Sequence, residues 1–236
     1  MKFPDPLIPG RLVKRYKRFL ADVELEGGEI VTAHCANSGS MLSVKEPGSE
    51  VWLSPARNPD RKLRYTWELV KIGDTFVGIN TSLPNRIVEE SIVAGKIPEL
   101  KDYETLRREV KYGKNSRIDI LLEDPARPTC YVEVKSVTLK RGLEKNDPVE
   151  FPDSVTTRGA KHLVELSYMV AQGHRSVMVY LVQRQDGDAF TIAADIDPDY
   201  KAALDKAMAA GVEILCYQCT LDTKKIEISK SLKLAL

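Results

Sequence analysis

The chain has 236 residues, of which 43% are hydrophobic and 29% are charged, an ordinary composition for a soluble globular protein. It carries 35 Lys and Arg against 34 Asp and Glu, and this net charge of +1 excludes a protein that is polybasic over its whole surface. No apolar run is long enough to span a membrane, and the first residues lack the apolar core of a signal peptide. We therefore expect a cytoplasmic protein with one large or two small domains.

The first 80 or so residues are typical of β structure. Gly27-Gly28 and Gly73-Asp74 each separate two short apolar stretches, which is a strong signal for a β-hairpin. The predicted strands are one near Leu12 and those at residues 19–25, 30–34, 50–53, 67–72 and 75–80. This number is close to the five strands of an OB-like barrel, which has no need of a helix, and an SH3-like barrel fits nearly as well.

Two stretches of this β region are locally basic. Residues 11–18 carry five cations and no acid, and residues 55–67 combine four cations with Tyr65 and Trp67. Cations interleaved with aromatic rings suit phosphate contact and base stacking, although a solvated charged face gives the same pattern. The side chains predicted to bind nucleic acid here are Arg15, Lys17, Arg18, Arg57 and Arg61.

The pattern changes at Leu83, after which helices alternate with strands. Asn85 is predicted to cap a helix over 85–94, Thr156 a helix over 157–172, and Asp197-Pro198 opens a third helix that Gly211 ends. The predicted strands lie at residues 109–112, 116–122, 130–137, 176–183, 212–220 and 226–228. We therefore predict a barrel domain over 1–82 and an α/β domain over 83–236, with a mixed sheet flanked by helices.

The most informative pattern lies on two consecutive predicted strands. Asp119 lies between Ile118 and Ile120 on the first, and the second carries Glu133 and Lys135. Because strand side chains alternate between faces, Glu133 and Lys135 share a face, and pairing of the strands can bring Asp119 to the same spot. Two carboxylates form a hard oxygen site that suits Mg²⁺, and a neighbouring lysine can orient a water molecule. An acid followed by Glu-x-Lys is the signature of phosphodiester-cutting nucleases of the PD-(D/E)XK type, although an exposed strand ion pair looks the same.

The predicted helix over 157–172 can add phosphate ligands to such a site. Arg158, Lys161, His162 and Glu165 share one face, opposite an apolar stripe. We predict that Arg158 and Lys161 hold a phosphate, with a solvated helix face as the alternative.

The predicted helix over 85–94 can add a third acid. Glu90 stacks with Ile87 and Ala94 on one side of the helix, which favours it as an additional metal ligand. Glu89 stays open as the alternative acid, and so does a pair of solvated glutamates.

Other motif interpretations lack support. Pro152-Asp153 follows Glu133 and Lys135, whereas the metal acid of the nuclease pattern precedes them, so this dipeptide is expected to shape a loop or to place Asp153 near substrate. The sequence contains no G-x-x-x-x-G-K-[ST], G-x-G-x-x-G or G-x-S-x-G motif. We therefore predict no nucleotide cofactor.

Longer motifs are distributed along nearly the whole chain. They are residues 15–22 (RYKRFLAD), 34–39 (HCANSG), 66–69 (TWEL), 112–113 (YG), 116–119 (SRID), 131–138 (YVEVKSVT), 151–156 (FPDSVT), 158–159 (RG) and 161–163 (KHL). In combination they resemble the sugar fermentation stimulation protein A family. The resemblance implies an N-terminal OB-like domain, a C-terminal PD-(D/E)XK nuclease-like domain, sequence-independent DNA binding and a regulatory role in sugar metabolism, notably that of maltose. It also implies that Asp119, Glu133 and Lys135 are the motif residues, with Glu90 as a weaker helix acid.

Two functional hypotheses follow. In the first, a DNA-binding protein retains a phosphodiesterase site in which Asp119 and Glu133 hold Mg²⁺ or Mn²⁺ and Lys135 positions the attacking water. In the second, a non-enzymatic DNA-binding regulator of transcription uses an inactive nuclease fold as a platform. A sugar-metabolising enzyme has no sequence pattern in its favour.

Overall fold

A computed structural model describes residues 1–113, 116–142, 144 and 146–236 of the protein. The elements are β1 (Ile8–Tyr16), β2 (Leu20–Leu25), β3 (Ile30–His34), β4 (Glu50–Pro55), β5 (Tyr65–Ile72), β6 (Thr75–Gly78), α1 (Pro84–Val93), a short 3-10 helix (Pro98–Leu100), β7 (Thr105–Tyr112), β8 (Ser116–Asp124), β9 (Arg127–Val137), β10 (Val149–Phe151), α2 (Thr157–Ala171), β11 (Arg175–Val182), β12 (Ala189–Ile192), α3 (Pro198–Ala209), β13 (Glu213–Leu221), β14 (Ile226–Ser231) and β15 (Lys233–Leu234). Most predicted strands and all three predicted helices are present, with ends that differ by a few residues.

Strands β1 to β5 form an N-terminal barrel. Their hydrogen-bonded order is β3-β2-β1-β4-β5, and a parallel pairing of Ala33 and His34 with β5 closes the circle. The two predicted glycine turns connect β2 to β3 and β5 to β6 as antiparallel hairpins. Leu12, Leu53 and Trp67 are fully buried inside the barrel. The OB-like prediction is therefore confirmed over the SH3-like alternative.

A six-stranded mixed sheet forms the centre of the C-terminal half. Its order is β14-β13-β11-β9-β8-β7, with β9, β11 and β13 parallel and the outer neighbours antiparallel. Strand β11 is central and almost wholly buried, as its continuous apolar sequence predicts. Helix α1 packs on one face of the sheet, and α2, together with α3, packs on the other. This arrangement confirms the predicted mixed sheet flanked by helices.

A second, three-stranded sheet was not predicted. Strands β10, β12 and β15 pair in parallel, and they have only three, four and two residues. Strands this short carry too few residues for an alternating pattern to be detected. The sheet matters for the site because β10 leads directly into Pro152 and Asp153.

Helix starts were predicted correctly at two of three positions. The side chains of Thr156 and Asp197 accept hydrogen bonds from the N–H groups of Gly159 and Tyr200. The prediction for Asn85 was wrong, because α1 starts one residue earlier with Leu83 in the N-cap position.

In the part of the chain that the structure describes, no helix has both the length and the apolar character needed to cross a bilayer.

The barrel and the C-terminal half are joined by a short connection and by direct contacts. The barrel sheet ends at Gly78 and α1 begins at Pro84, so the predicted domain boundary at 82/83 lies in this connection and stays a prediction. The Gly78 N–H donates to the Gln183 carbonyl at 2.9 Å. The Met41 N–H donates to the Asp153 carboxylate at 2.7 Å. The two halves therefore touch at both a strand edge and a loop.

Glu68 is a buried acid in the barrel, and it gives a testable pH dependence. Its oxygens accept hydrogen bonds from Ser54 Oγ at 2.6 Å and from Asn80 Nδ2 at 2.8 Å, while Arg61 is the charged group that acts on it. Burial raises the pKa of Glu68 above its ordinary value, because these partners only partly offset the lost hydration.

Replacing Glu68 by glutamine is expected to stabilise the protein relative to wild type increasingly as pH rises. A carboxyl group whose pKa is higher in the folded than in the unfolded protein contributes its full stabilisation below the unfolded-state pKa. This stabilisation is lost as pH rises through the folded-state pKa. Each unit of separation between the two pKa values is worth about 1.4 kcal/mol. Urea unfolding of wild type and Glu68→Gln at about pH 4.5 and about pH 8 measures this. The exposed Glu26→Gln variant is the control, and a difference between Glu68→Gln and wild type that is the same at both pH values would contradict the assignment.

Candidate active site

The site begins where β8 and β9 separate. Their described pairing ends at Ile120 and Val132, so Val134 has no backbone partner on β8. The Asp119 carboxylate takes that place, because Oδ2 accepts the Val134 N–H at 2.8 Å and Oδ1 accepts Asn85 Nδ2 at 2.7 Å. Burial, with the Glu133 charge second, raises the pKa of Asp119 to about 6.

Glu133 lies at the bottom of the site with only 2% of its surface exposed. Its Oε1 accepts a hydrogen bond from Lys135 Nζ at 2.7 Å and contacts His162 Nδ1. Its Oε2 is buried and has no hydrogen-bond partner among the described residues. Burial alone would raise the pKa of Glu133, but the His162 hydrogen bond and the Lys135 charge outweigh it and hold the pKa below its ordinary value.

His162 links α2 to this carboxylate. Arg158 Nε donates to His162 Nε2 at 3.3 Å, so Nε2 is an acceptor and the ring proton lies on Nδ1, facing Glu133. The alternative of a solvated helix face does not hold for His162 and Glu165, since both are buried together with Leu163 and Leu166. Helix α2 is covered by the sheet on one side and by α3 on another, so its buried surface is wider than one apolar stripe.

A cleft of about 920 Å³ opens above these side chains. Both halves of the protein line it. The barrel contributes Arg15, Arg18, Lys45 and the 37–40 loop, and the C-terminal half contributes Asn85, Asp119, Glu133, Lys135, residues 150–156, Arg158 and His162. The three motif residues predicted from sequence therefore lie in one cleft, as their strand positions indicate.

Three of the seven cations predicted to bind nucleic acid line the cleft. Arg158 lies beside His162, and Arg18 is exposed at the turn after β1. Arg15 donates through Nη2 to the carbonyls of Asn37 and Gly39, both at 2.9 Å, so part of its role is to hold the loop.

The other four cations lie outside the cleft lining, as far as the described residues show. Arg57 pairs with Asp5 at 2.8 Å on the surface, and Lys161 lies 3.8 Å from Glu165. Arg61 acts on the barrel acid Glu68, and Lys17 is exposed in the turn after β1. The cations that the sequence groups together therefore lie partly in the cleft and partly on the outer surface.

The structure does not bring the α1 acids to the cleft. Glu90 pairs with Arg86 at 2.8 Å and with the Met1 amino group at 2.9 Å, and Glu89 pairs with Arg108 at 3.1 Å. The contribution of α1 to the site is Asn85, which donates to Asp119. The sequence pattern predicts Asn85 as a helix cap instead, so its contact with Asp119 could not be found from spacing alone.

Asp153 shapes a loop, which is one of the two roles expected for it from the sequence. Its Oδ2 accepts the Met41 N–H, and its backbone carbonyl accepts the Ser40 hydroxyl. Asp153 also lines the cleft. It therefore shapes the loop into α2 and at the same time fastens the barrel to the C-terminal half.

The donor set suits a hard divalent cation that keeps part of its coordination shell as water. Asp119 and Glu133 supply carboxylate oxygens, and among the described residues the buried Glu133 Oε2 has no partner to compensate for its lost hydration. Within the described ranges, no three His, Cys, Asp or Glu side chains are grouped closely enough to form a complete metal cage. A cation here would depend on two protein carboxylates and on water or substrate oxygens, which is how proteins commonly hold Mg²⁺.

Comparison with known proteins finds two family models that match the chain. A family model described as the SfsA N-terminal OB domain matches residues 13–79. A second, described as the sugar fermentation stimulation protein RE domain, matches residues 82–225. The chain belongs to the sugar fermentation stimulation protein family. The resemblance seen in the sequence is thereby confirmed, and so is the predicted fold class.

Relatives in this family match over nearly the full length. Sugar fermentation stimulation protein homologs from Rhodospirillum rubrum and Rhodospirillum centenum are 65% and 61% identical to the chain. The first alignment covers 94% of both chains and the second 100% of both. Among solved structures, SfsA of Pyrococcus furiosus in complex with Ca²⁺ is 26% identical with a TM-score of 0.89, covering 100% of this chain and 98% of that one.

Proposed function

We propose that this member of the sugar fermentation stimulation protein family hydrolyses phosphodiester bonds of DNA with the help of a divalent cation. The observation that carries the proposal is the convergence of Asp119, Glu133 and Lys135 in one cleft whose two walls carry Arg18 and Arg158. Cations of this kind contact phosphates, which carry no sequence information, so we propose DNA binding without sequence preference.

Mg²⁺ or Mn²⁺ is the proposed cofactor. Asp119 and the unpartnered Oε2 of Glu133 would hold it, and Glu90 is left out because it pairs with Arg86 outside the cleft. The Pyrococcus furiosus relative was solved with Ca²⁺, another hard cation, which supports a divalent ion here. When bound, such a cation neutralises charge on a phosphate and lowers the pKa of a water molecule.

The side chains around the carboxylates have separate proposed roles. Lys135 Nζ gives one hydrogen bond to Glu133 and keeps other N–H groups to orient the attacking water and to stabilise charge on the phosphate. Arg158 would hold a phosphate oxygen from the α2 side. In the hydrolysis, the water oxygen bonds to phosphorus, one P–O ester bond breaks, and a proton passes to the departing oxygen.

A non-enzymatic DNA-binding regulator is the second candidate. It is favoured by the contacts that Glu133 Oε1 already makes within the protein, an ion pair with Lys135 Nζ and a contact with His162 Nδ1. A role in regulating sugar metabolism, notably that of maltose, belongs to this candidate and depends on the family resemblance.

Cleavage assays with Asp119→Asn distinguish the two candidates. Wild type should cut linear DNA with Mg²⁺ or Mn²⁺ and not with EDTA. Asp119→Asn should lose cleavage because it removes one of the two proposed cation ligands, and it should still bind DNA because the cations that line the cleft are unchanged. Asp205→Asn is the matched control, since Asp205 pairs with Lys201 on the exposed side of α3. Wild type that binds DNA but cuts nothing with either cation would favour the regulator.

A further inference from the structure

Resting on the proposed function, we propose that the cleft accepts single-stranded DNA, or the unpaired end of a duplex, and excludes an intact double helix. The inference concerns the substrate class of the site. It depends on how deep the reacting groups lie, on how the barrel wall is held, and on the volume between the walls.

The reacting groups lie deep in the cleft. Glu133 is 2% exposed, and the Lys135 side chain is 15% exposed. A scissile phosphate must therefore descend between the two walls to reach them. A single strand can bend to do so, whereas a strand inside a duplex must first unpair and unstack, at a cost of about a few kcal/mol.

The barrel wall of the cleft is held in place by hydrogen bonds to the C-terminal half. Asp153 accepts hydrogen bonds from the Met41 N–H and the Ser40 hydroxyl, which holds the barrel loop against the segment that leads into α2. The fit is close, because a Cβ atom at Gly39 would lie 2.7 Å from Asp153 Oδ2. Widening the cleft for a double helix would require these contacts to break.

The size and charge of the cleft suit a short stretch of one strand. Its volume of about 920 Å³ is at the upper end of the range of about 300–1,000 Å³ that is typical of small-ligand pockets. The major groove of a double helix is by itself about 12 Å wide, so a duplex is a much larger body than this cleft can enclose. Arg18 and Lys45 on one wall and Arg158 on the other can contact the phosphates on either side of the cut.

Binding and cleavage of matched oligonucleotides test the inference. Labelled single strands without self-complementarity, blunt duplexes formed by annealing them to their complements, and duplexes with a single-stranded overhang are compared by fluorescence anisotropy with Ca²⁺ and by cleavage with Mg²⁺. We expect single strands to bind about tenfold more tightly than blunt duplexes, and we expect cleavage of a duplex to require the overhang. Equal binding of both forms, or equal cleavage of blunt duplexes, would overturn the inference. If single strands bind preferentially and nothing is cut, the proposed catalytic function fails while the inference on substrate class stands.

A pair of Asp153 variants tests the role of the wall. Asp153→Ala removes the acceptor for the Met41 N–H, whereas Asp153→Asn keeps an oxygen there. We expect Asp153→Ala to reduce the preference for single strands severalfold and Asp153→Asn to preserve it. Ser40→Ala removes only the hydroxyl donor and serves if Asp153→Ala does not fold. A preference that both Asp153→Ala and Ser40→Ala leave unchanged would show that these contacts do not set it.

Discussion

Replacing Glu133 by glutamine is expected to abolish divalent-cation binding in the cleft and to lower the rate of DNA cleavage by about 10³-fold or more. Glutamine keeps the size of the side chain and a carbonyl oxygen that can accept from Lys135. It removes the negative charge and places at most one oxygen where Glu133 has two. Because the cation would be held by only two protein carboxylates, loss of one leaves too little charge to bind it.

Calorimetric titration with Ca²⁺ measures the binding, and single-turnover cleavage with Mg²⁺ measures the rate. The control is Glu123→Gln, because Glu123 is a glutamate on β8 that pairs with Arg107 on the surface at 2.8 Å. Glu90→Gln should bind Ca²⁺ and cleave DNA as wild type does. A loss of either would show that this acid on α1 is a cation ligand. Undiminished Ca²⁺ binding by Glu133→Gln would remove this residue from the proposed ligand set.

Local patterns were enough to predict the barrel and the motif strands. The turns at Gly27-Gly28 and Gly73-Asp74 identified two hairpins, and alternation placed Glu133 and Lys135 on one face. Asp119 followed from the pairing of neighbouring strands, a short-range relation. These predictions depend on residues close in sequence, where backbone geometry alone determines which side chains can meet.

The remaining features of the site depend on contacts between distant segments. Asn85 meets Asp119 across 34 positions, and Asp153 meets Met41 across 112. The burial of His162 was not predicted, because the sequence of α2 does not show that this face of the helix meets Glu133 on β9. For Glu90, stacking with Ile87 indicated an inward position, but pairing with Arg86 and the Met1 amino group holds it elsewhere. The spacing of residues along α1 does not show which charged groups lie near Glu90 in the folded protein.

The second prediction of large effect concerns Lys135. Replacing Lys135 by alanine is expected to slow cleavage by about 10²–10³-fold, the usual effect of removing one charged or hydrogen-bonding group from a transition state. Binding of Ca²⁺ and of DNA should change little, because the ammonium group is not a cation ligand and contributes only one of the positive charges in the cleft. The separation of rate from binding distinguishes this variant from Glu133→Gln, which should lose both cation binding and rate.

The same measurements show whether Lys135 acts on substrate or only through Glu133. Lys135 Nζ lies 2.7 Å from Glu133 Oε1 and 3.5 Å from His162 Nδ1, so its removal also takes a hydrogen bond from the carboxylate. If the lysine only positions Glu133, Lys135→Ala should weaken Ca²⁺ binding as much as it slows cleavage. If it acts on water and phosphate, cleavage should fall while Ca²⁺ binding is preserved. Lys135→Arg keeps the charge but moves the nitrogen, so it should preserve DNA affinity and recover only part of the rate. Lys230→Ala, which removes a surface lysine paired with Asp188 at 3.3 Å, controls for the loss of one positive charge elsewhere.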